Sequence, residues 1–185
     1  MQVAAARLVD AGYTAIGIDH FAKPDDSLTI AAREGRLRRN FQGYSEDGAD
    51  ALIGLGASSI SQLPQGYVQN IPATGEYRRQ AEAGGLCTIR GVELSAEDRV
   101  RRRVIEAVMC EFRVDFARLD AEFGSVSDVV LCEARLLAAG DGRELVTFDG
   151  RVLELTDSGR IFARTVAAAF DTYLQTGKGR HSAAV

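Results

Sequence analysis

The chain has 185 residues, 46% of them apolar and 26% charged, with a net charge of −4. That is the balance of an ordinary globular protein of one or two domains. The acidic excess is shared evenly by the two halves, which excludes a strongly basic nucleic-acid footprint.

The chain opens on "MQVAAARLVDAGYTAIGIDHFAKP". Ala4, Leu8 and Val9 give a helical stripe, and Gly12 ends it as a C-cap does. Thr14 to Ile18 reads as a short buried strand. A helix joined to a strand by two residues resembles the middle of an α/β repeat, so the chain reads as a piece of something longer. Asp19-His20-Phe21 then falls at the strand's C-terminal end, where α/β folds carry functional loops. Pro24 or Asp25 opens a helix running to about Gly35.

Next comes "RRNFQGYSEDGADALIGLGASSIS". Asn40-Phe41-Gln42-Gly43-Tyr44 is too polar for a core strand and too aromatic for a plain solvent loop. It reads as part of a ligand-binding loop region spanning about residues 40–60. Leu52 to Gly56 reads as a second apolar strand, with glycines that allow close backbone approach. Residues 66–72 read as loop, Thr74 to about Ala83 as a helix stopped by Gly84-Gly85, and residues 86–94 as extended chain.

Ser95 is a good N-cap, with Glu97 and Asp98 in the first turn behind it. Val100, Val104, Val108 and Phe112 follow at helical spacing, widened by Ile105 and Met109. Shorter helices are predicted over 115–122 and 127–139. Glu144–Phe148 and Arg151–Leu155 flank Asp149-Gly150, a strong hairpin signal. Thr156 caps a last helix to about residue 174, with Ile161, Val166 and Phe170 inside. The polar tail from Gln175 to Val185 is expected to fray. Helices with a small hairpin make a winged-helix-like pattern, and a domain boundary is expected near residue 93.

Weighed singly, the candidate sites are weak. Gly54-Leu55-Gly56-Ala57-Ser58-Ser59 starts like a dinucleotide fingerprint, but no long helix follows, so tight packing is the simpler reading. Asp19 and His20 could pair, except that adjacent strand residues point to opposite faces. Arg99, Arg101, Arg102 and Arg103 read as a solvated helix face. Cys87, Cys110 and Cys132 are far apart and read as small buried hydrophobes of a reducing compartment. Metal-ligand spacing is absent, so no metal site is assigned to this chain. No stretch approaches the ~20 apolar residues of a membrane helix. The first 20 residues do not read as a signal peptide, and the expected location is cytoplasmic.

Taken together, "GYTAIGIDHFAKPDD", "REGRLRRNFQGY", "LIGLGASSIS", "YVQN", "RGVELSAEDRVRRRVIEAVMCEFRVD" and "FDTYL" resemble bacterial oxygen-independent coproporphyrinogen III oxidase. This is a radical S-adenosylmethionine family of heme synthesis. The resemblance implies an α/β fold in which residues 1–92 are the C-terminal segments of a partial (β/α) barrel. Residues 93–185 would be a mostly helical, winged-helix-like domain. It implies oxidative decarboxylation of two propionates of coproporphyrinogen III to vinyls, begun by a 5′-deoxyadenosyl radical. The cofactors implied are S-adenosyl-L-methionine and a [4Fe–4S] cluster held by Cys-x-x-x-Cys-x-Cys. That motif is missing here, so the cluster is expected on a missing N-terminal half and this chain alone is expected to be inactive. Phe41 and Gln42 match positions implicated in activity, and Ile60 matches one that contacts a second S-adenosylmethionine. The partners implied are the porphyrinogen and the N-terminal half, with no nucleic acid and no membrane. Two alternatives stay open: a heme chaperone of the same superfamily, and a winged-helix interaction module.

Overall fold

The computed structural model describes residues 2–176. They form two compact units, one joining the residues up to Glu46 with those from Ala96 onward, the other Asp47–Ser95. The edge at 95/96 lies three residues from the boundary expected at 92/93, and the edge at 46/47 has no counterpart in the sequence reading. The class is mixed α/β, and every strand pair is antiparallel among the described residues.

Helix α1 (Gln2–Asp10) ends as its pattern predicts, with Gly12 in the left-handed region at φ 85°. The strand expected over 14–18 is instead a hairpin. β1 (Thr14–Ile16) folds back on β2 (His20–Ala22), with residues 17–19 as the turn. Gly17 at φ 57° permits that reversal. Helix α2 (Ser27–Arg33) starts later than expected. Its N-cap is Asp26, whose side chain accepts from Leu28 N at 2.9 Å, rather than Pro24 or Asp25. β3 (Arg38–Asn40) and β4 (Gly43–Ser45) form a second small hairpin.

In the second unit the expected strand over Leu52–Gly56 is a loop with a single bridge, Leu52 to Gln62. Two strands lie where loop was expected, and a third falls in the stretch expected to be extended. β5 (Ile60–Leu63) and β6 (Gly66–Asn70) pair around Pro64-Gln65, and β7 (Thr88–Glu93) adds to β6 after helix α3 (Thr74–Glu82).

Helix α4 (Ala96–Glu111) carries the predicted stripe into the core. Val100, Val104 and Val108 are fully buried, and they belong to a cluster with Leu119, Val130, Leu153, Val166 and Phe170. After α4 come β8 (Arg113–Asp115), α5 (Phe116–Phe123), a 3₁₀ turn over Gly124–Ser127 and α6 (Asp128–Ala139). The predicted hairpin is β9 (Val146–Phe148) and β10 (Val152–Leu155), and β8 joins β10 to make three strands. The single last helix is broken into α7 (Asp157–Ile161), α8 (Ala163–Ala168) and α9 (Thr172–Thr176). Thr156 caps α7 as expected, accepting from Gly159 N at 3.0 Å. A Cβ on Gly159 would collide with the Leu145 carbonyl, so α7 lies hard against the chain entering β9. The tail expected to fray lies, from residue 177 on, outside the described residues.

The arginine cluster of α4 is not uniformly solvated. Arg101 is 5% exposed. Its guanidinium grips Glu133 with two hydrogen bonds of 2.7 and 2.8 Å, donates to Glu97 at 2.8 Å, and reaches the Phe170 carbonyl at 3.1 Å. Hydrogen bonding to Glu133, opposed by burial, raises its pKa further above the ordinary arginine value. Arg101 therefore ties α4 to α6 and to the turn that follows α8.

Candidate functional site

Phe41 and Gln42 are the two residues at the tip of the β3–β4 hairpin, whose register pairs Arg38 with Ser45, Arg39 with Tyr44 and Asn40 with Gly43. The turn is closed by side-chain chemistry: Asn40 Oδ1 accepts from Gln42 N at 2.8 Å, the local bond Asn favours in turns. Gly43, at φ 141°, completes the reversal. Phe41 is 55% exposed and Gln42 is exposed as well, so the tip displays an aromatic ring and an amide beside each other.

Tyr44 holds that tip in place. Its hydroxyl accepts from Ile18 N at 3.1 Å and donates to the Met109 carbonyl at 3.0 Å. Met109 lies in the last turn of α4, where carbonyls lack helical partners. The Arg39 guanidinium sits 5.6 Å from the ring centroid. Burial pushes the Tyr44 phenol above its ordinary value, against the stabilising Ile18 N–H. A Cβ on Gly17 would fall on the Tyr44 ring, so glycine there is what admits the tyrosine. One phenol thus fixes both small hairpins to the central helix.

Asp19 and His20 do pair, contrary to the strand argument. Asp19 Oδ1 lies 2.8 Å from His20 Nδ1, because Asp19 belongs to the turn rather than to a strand and its side chain is free to swing toward its neighbour. Asp19 Oδ2 accepts from Arg164 Nη2 of α8 at 2.9 Å. The sequence reading missed Arg164 entirely, since 145 positions separate it from Asp19.

Ile60, the third site residue read from the sequence, belongs to the second unit. It opens β5, is half-buried, and pairs across the strands with Gln69. The glycine loop before it is held by polar side chains. Asn70 Nδ2 donates to the Gly54 and Gly56 carbonyls at 3.1 Å each, Gly54 N donates to Ser61 Oγ at 3.0 Å, and Gly56 N donates to the Tyr77 hydroxyl at 3.0 Å. A Cβ on Gly54 would come within 2.8 Å of the Ile60 carbonyl. The loop leads into a strand, so the strand–glycine turn–helix arrangement of a dinucleotide site is not formed.

The thiols do not suit an iron–sulfur cluster. Cys110 is buried and its thiol is pushed up to about 12, chiefly by desolvation and then by Glu106, where a cluster ligand must be a thiolate. Cys132 is exposed and Cys87 half-buried, contrary to the expectation that all three are buried. Among the described residues no three His, Cys, Asp or Glu side chains converge as a ligand set.

Comparison with known proteins finds likeness in sequence and in backbone. Residues 94–162 match the HemN C-terminal domain. The chain is 45% identical over 178 residues to the oxygen-independent coproporphyrinogen III oxidase of Bradyrhizobium diazoefficiens, covering 96% of this chain and 40% of that protein. The Escherichia coli protein of the same name is 40% identical, over 95% of this chain and 38% of its own length. The solved structure of coproporphyrinogen III oxidase (HemN) from E. coli, a radical SAM enzyme, superposes with a TM-score of 0.85 at 38% identity, over 93% of this chain and 40% of that one. The resemblance read from the sequence blocks is therefore upheld, and the chain spans about 40% of the length of the curated relatives it matches.

Proposed function

We propose that this chain is the C-terminal part of an oxygen-independent coproporphyrinogen III oxidase. The observation that supports it most strongly is likeness along nearly the whole chain, in sequence and in backbone, to proteins of that name. In this reading residues 1–92 belong to a partial barrel and residues 93–185 to a winged-helix-like helical domain. The Phe41-Gln42 tip and Ile60 are the residues that meet substrate and cofactor. The aromatic ring and the aliphatic side chain supply apolar wall for a tetrapyrrole or an adenine, and the Gln42 amide supplies donors and an acceptor.

The parent family's cluster chemistry supplies an oxidising radical. The thiols here do not fit that cluster, so no step is assigned to it on this chain. What this chain contributes is a displayed, rigidly held binding tip. Among the described residues no helix is long and apolar enough to cross a membrane, and the location in this reading is cytoplasmic.

The test is anaerobic reconstitution with iron and sulfide, followed by iron analysis and assay of porphyrinogen decarboxylation. The chain by itself is expected to take up no stoichiometric cluster and to turn nothing over. Joined to a cluster-binding region of the family, it is expected to support both. Stoichiometric cluster on the chain alone, or a joined protein that binds cluster and S-adenosylmethionine but leaves the porphyrinogen untouched, contradicts the reading.

A further inference from the structure

His20 is held on one side and open on the other. Asp19 uses both oxygens, Oδ1 toward His20 Nδ1 at 2.8 Å and Oδ2 toward Arg164 at 2.9 Å. An ionised carboxylate only accepts, so Nδ1 donates to Asp19 and Nε2 is the nitrogen left for a ligand. The imidazole also stands edge-on to Tyr44, with centroids 5.0 Å apart and an interplanar angle of 82°. Tyr44 is itself pinned by Ile18 and Met109, so the ring's orientation is set from two directions.

Nε2 points at the binding tip. A Cβ built on Gly43 would have His20 Nε2 as its only neighbour within 4 Å, at 3.6 Å. Glycine at that position keeps the approach to Nε2 open. No hydrogen bond to Nε2 is made by the described residues, and the His20 side chain is 48% exposed. The charges nearby suit an anion. Arg164 offsets Asp19, and Arg39 lies over the other ring of the pair, Tyr44. As the imidazolium, with a hydrogen on each nitrogen, the ring donates to Asp19 from Nδ1 and to a negatively charged partner from Nε2, whereas with the single hydrogen on Nδ1 the Nε2 atom only accepts.

We propose that His20, as the imidazolium, donates from Nε2 to a carboxylate of the molecule bound at the Phe41-Gln42 tip, with Asp19 and Arg164 as positioning residues. The proposal rests on the porphyrinogen oxidase reading, which brings two carboxylate-bearing molecules to that tip. The porphyrinogen has propionates, and S-adenosylmethionine has its amino-acid end.

Two substitutions in an enzyme containing this segment separate binding from folding. His20→Asn keeps a donor near Nδ1 for Asp19 but has nothing at the Nε2 position. His20→Gln places an amide nitrogen close to where Nε2 was. Binding is read by fluorescence with coproporphyrin, the oxidised tetracarboxylate, and with its tetramethyl ester. S-adenosylmethionine binding and the KM and kcat for the porphyrinogen are measured alongside. Loss of a hydrogen bond to a charged group predicts about 10- to 100-fold weaker tetracarboxylate binding in His20→Asn. Ester binding should be unchanged, KM should rise more than kcat falls, and His20→Gln should recover most of the loss. The same loss seen for S-adenosylmethionine instead of the porphyrin supports the carboxylate contact and assigns it to the cofactor. Folded His20→Asn that binds both molecules like the parent overturns the inference, as does equal weakening of acid and ester. A folded parent that binds no tetracarboxylate porphyrin at all overturns the oxidase reading itself, and this inference with it.

Discussion

The helical core around α4 and the Asp47–Ser95 unit treat their apolar side chains in opposite ways. Around α4, Val100, Val104, Val108, Val130, Leu153 and Phe170 are all fully buried. In Asp47–Ser95 the buried hydrophobics are Ile71 and Leu94, while Ile53, Leu55, Leu86, Ile89 and Val92 are exposed. The first region is held by packing. The second is held by strand pairing and by the side chains of Asn70, Ser61 and Tyr77 bonded to the glycine loop. Apolar burial sets most of folding stability, so stability is concentrated around α4. The second region keeps apolar surface that, in the proposed reading, meets the remainder of the enzyme.

The largest effect is expected at Phe170. Phe170→Ala removes a fully buried ring from the main cluster and should cost about 3–5 kcal/mol in denaturant unfolding. The paired substitution Ile89→Ala, at a side chain 56% exposed, should stay within about 0.5 kcal/mol. Similar losses at the two sites would break the contrast between the regions.

Tyr44→Phe comes next. It leaves the Ile18 N–H without its acceptor and the Met109 carbonyl without its donor, and should cost about 1–2 kcal/mol. Amide exchange should quicken at Ile18 and along residues 38–45 more than in the middle of α4. Uniform acceleration would mean that the tyrosine is not a local latch.

The smallest effect is at the β9–β10 turn. Asp149 accepts from Val152 N and Arg151 N at 2.7 and 2.8 Å, and these bonds lower its pKa from the ordinary 3.8. A lowered carboxyl pKa stabilises the fold at pH above the unfolded-state value, and that contribution is lost as pH falls through the folded-state value. The Arg151 and Val152 amide signals should therefore shift only below about pH 4. Asp149→Asn should abolish the shift.

What the sequence disclosed follows the same division. Helices α3 to α6 were legible because stripes such as Val100-Val104-Val108 and stops such as Gly84-Gly85 are local signals. The β1–β2 and β3–β4 hairpins were not, because three-residue strands show no alternation. The β3–β4 turn is closed by Asn40 and Gly43 around Phe41-Gln42, a pair with no turn preference. Leu52–Gly56 read as a strand because apolar and glycine residues alternate there. Its loop form depends on Asn70 and Tyr77, far along the chain. Phe41 and Gln42 could be marked as unusual from their setting alone, whereas the Asp19–His20–Arg164 arrangement could not, since it needs the turn at Gly17 and a helix 145 positions away. Burial of Arg101 was hidden for the same reason. Glu97, four positions before it on the same helix, was in view, but Glu133 was not.

The measurement that bears most directly on the functional account is anaerobic decarboxylation by an enzyme containing this segment with Gln42→Ala, beside its iron content. The account predicts that the variant keeps its cluster and loses conversion of coproporphyrinogen III. Unreduced turnover with an intact cluster would contradict it, removing the hairpin tip from the site.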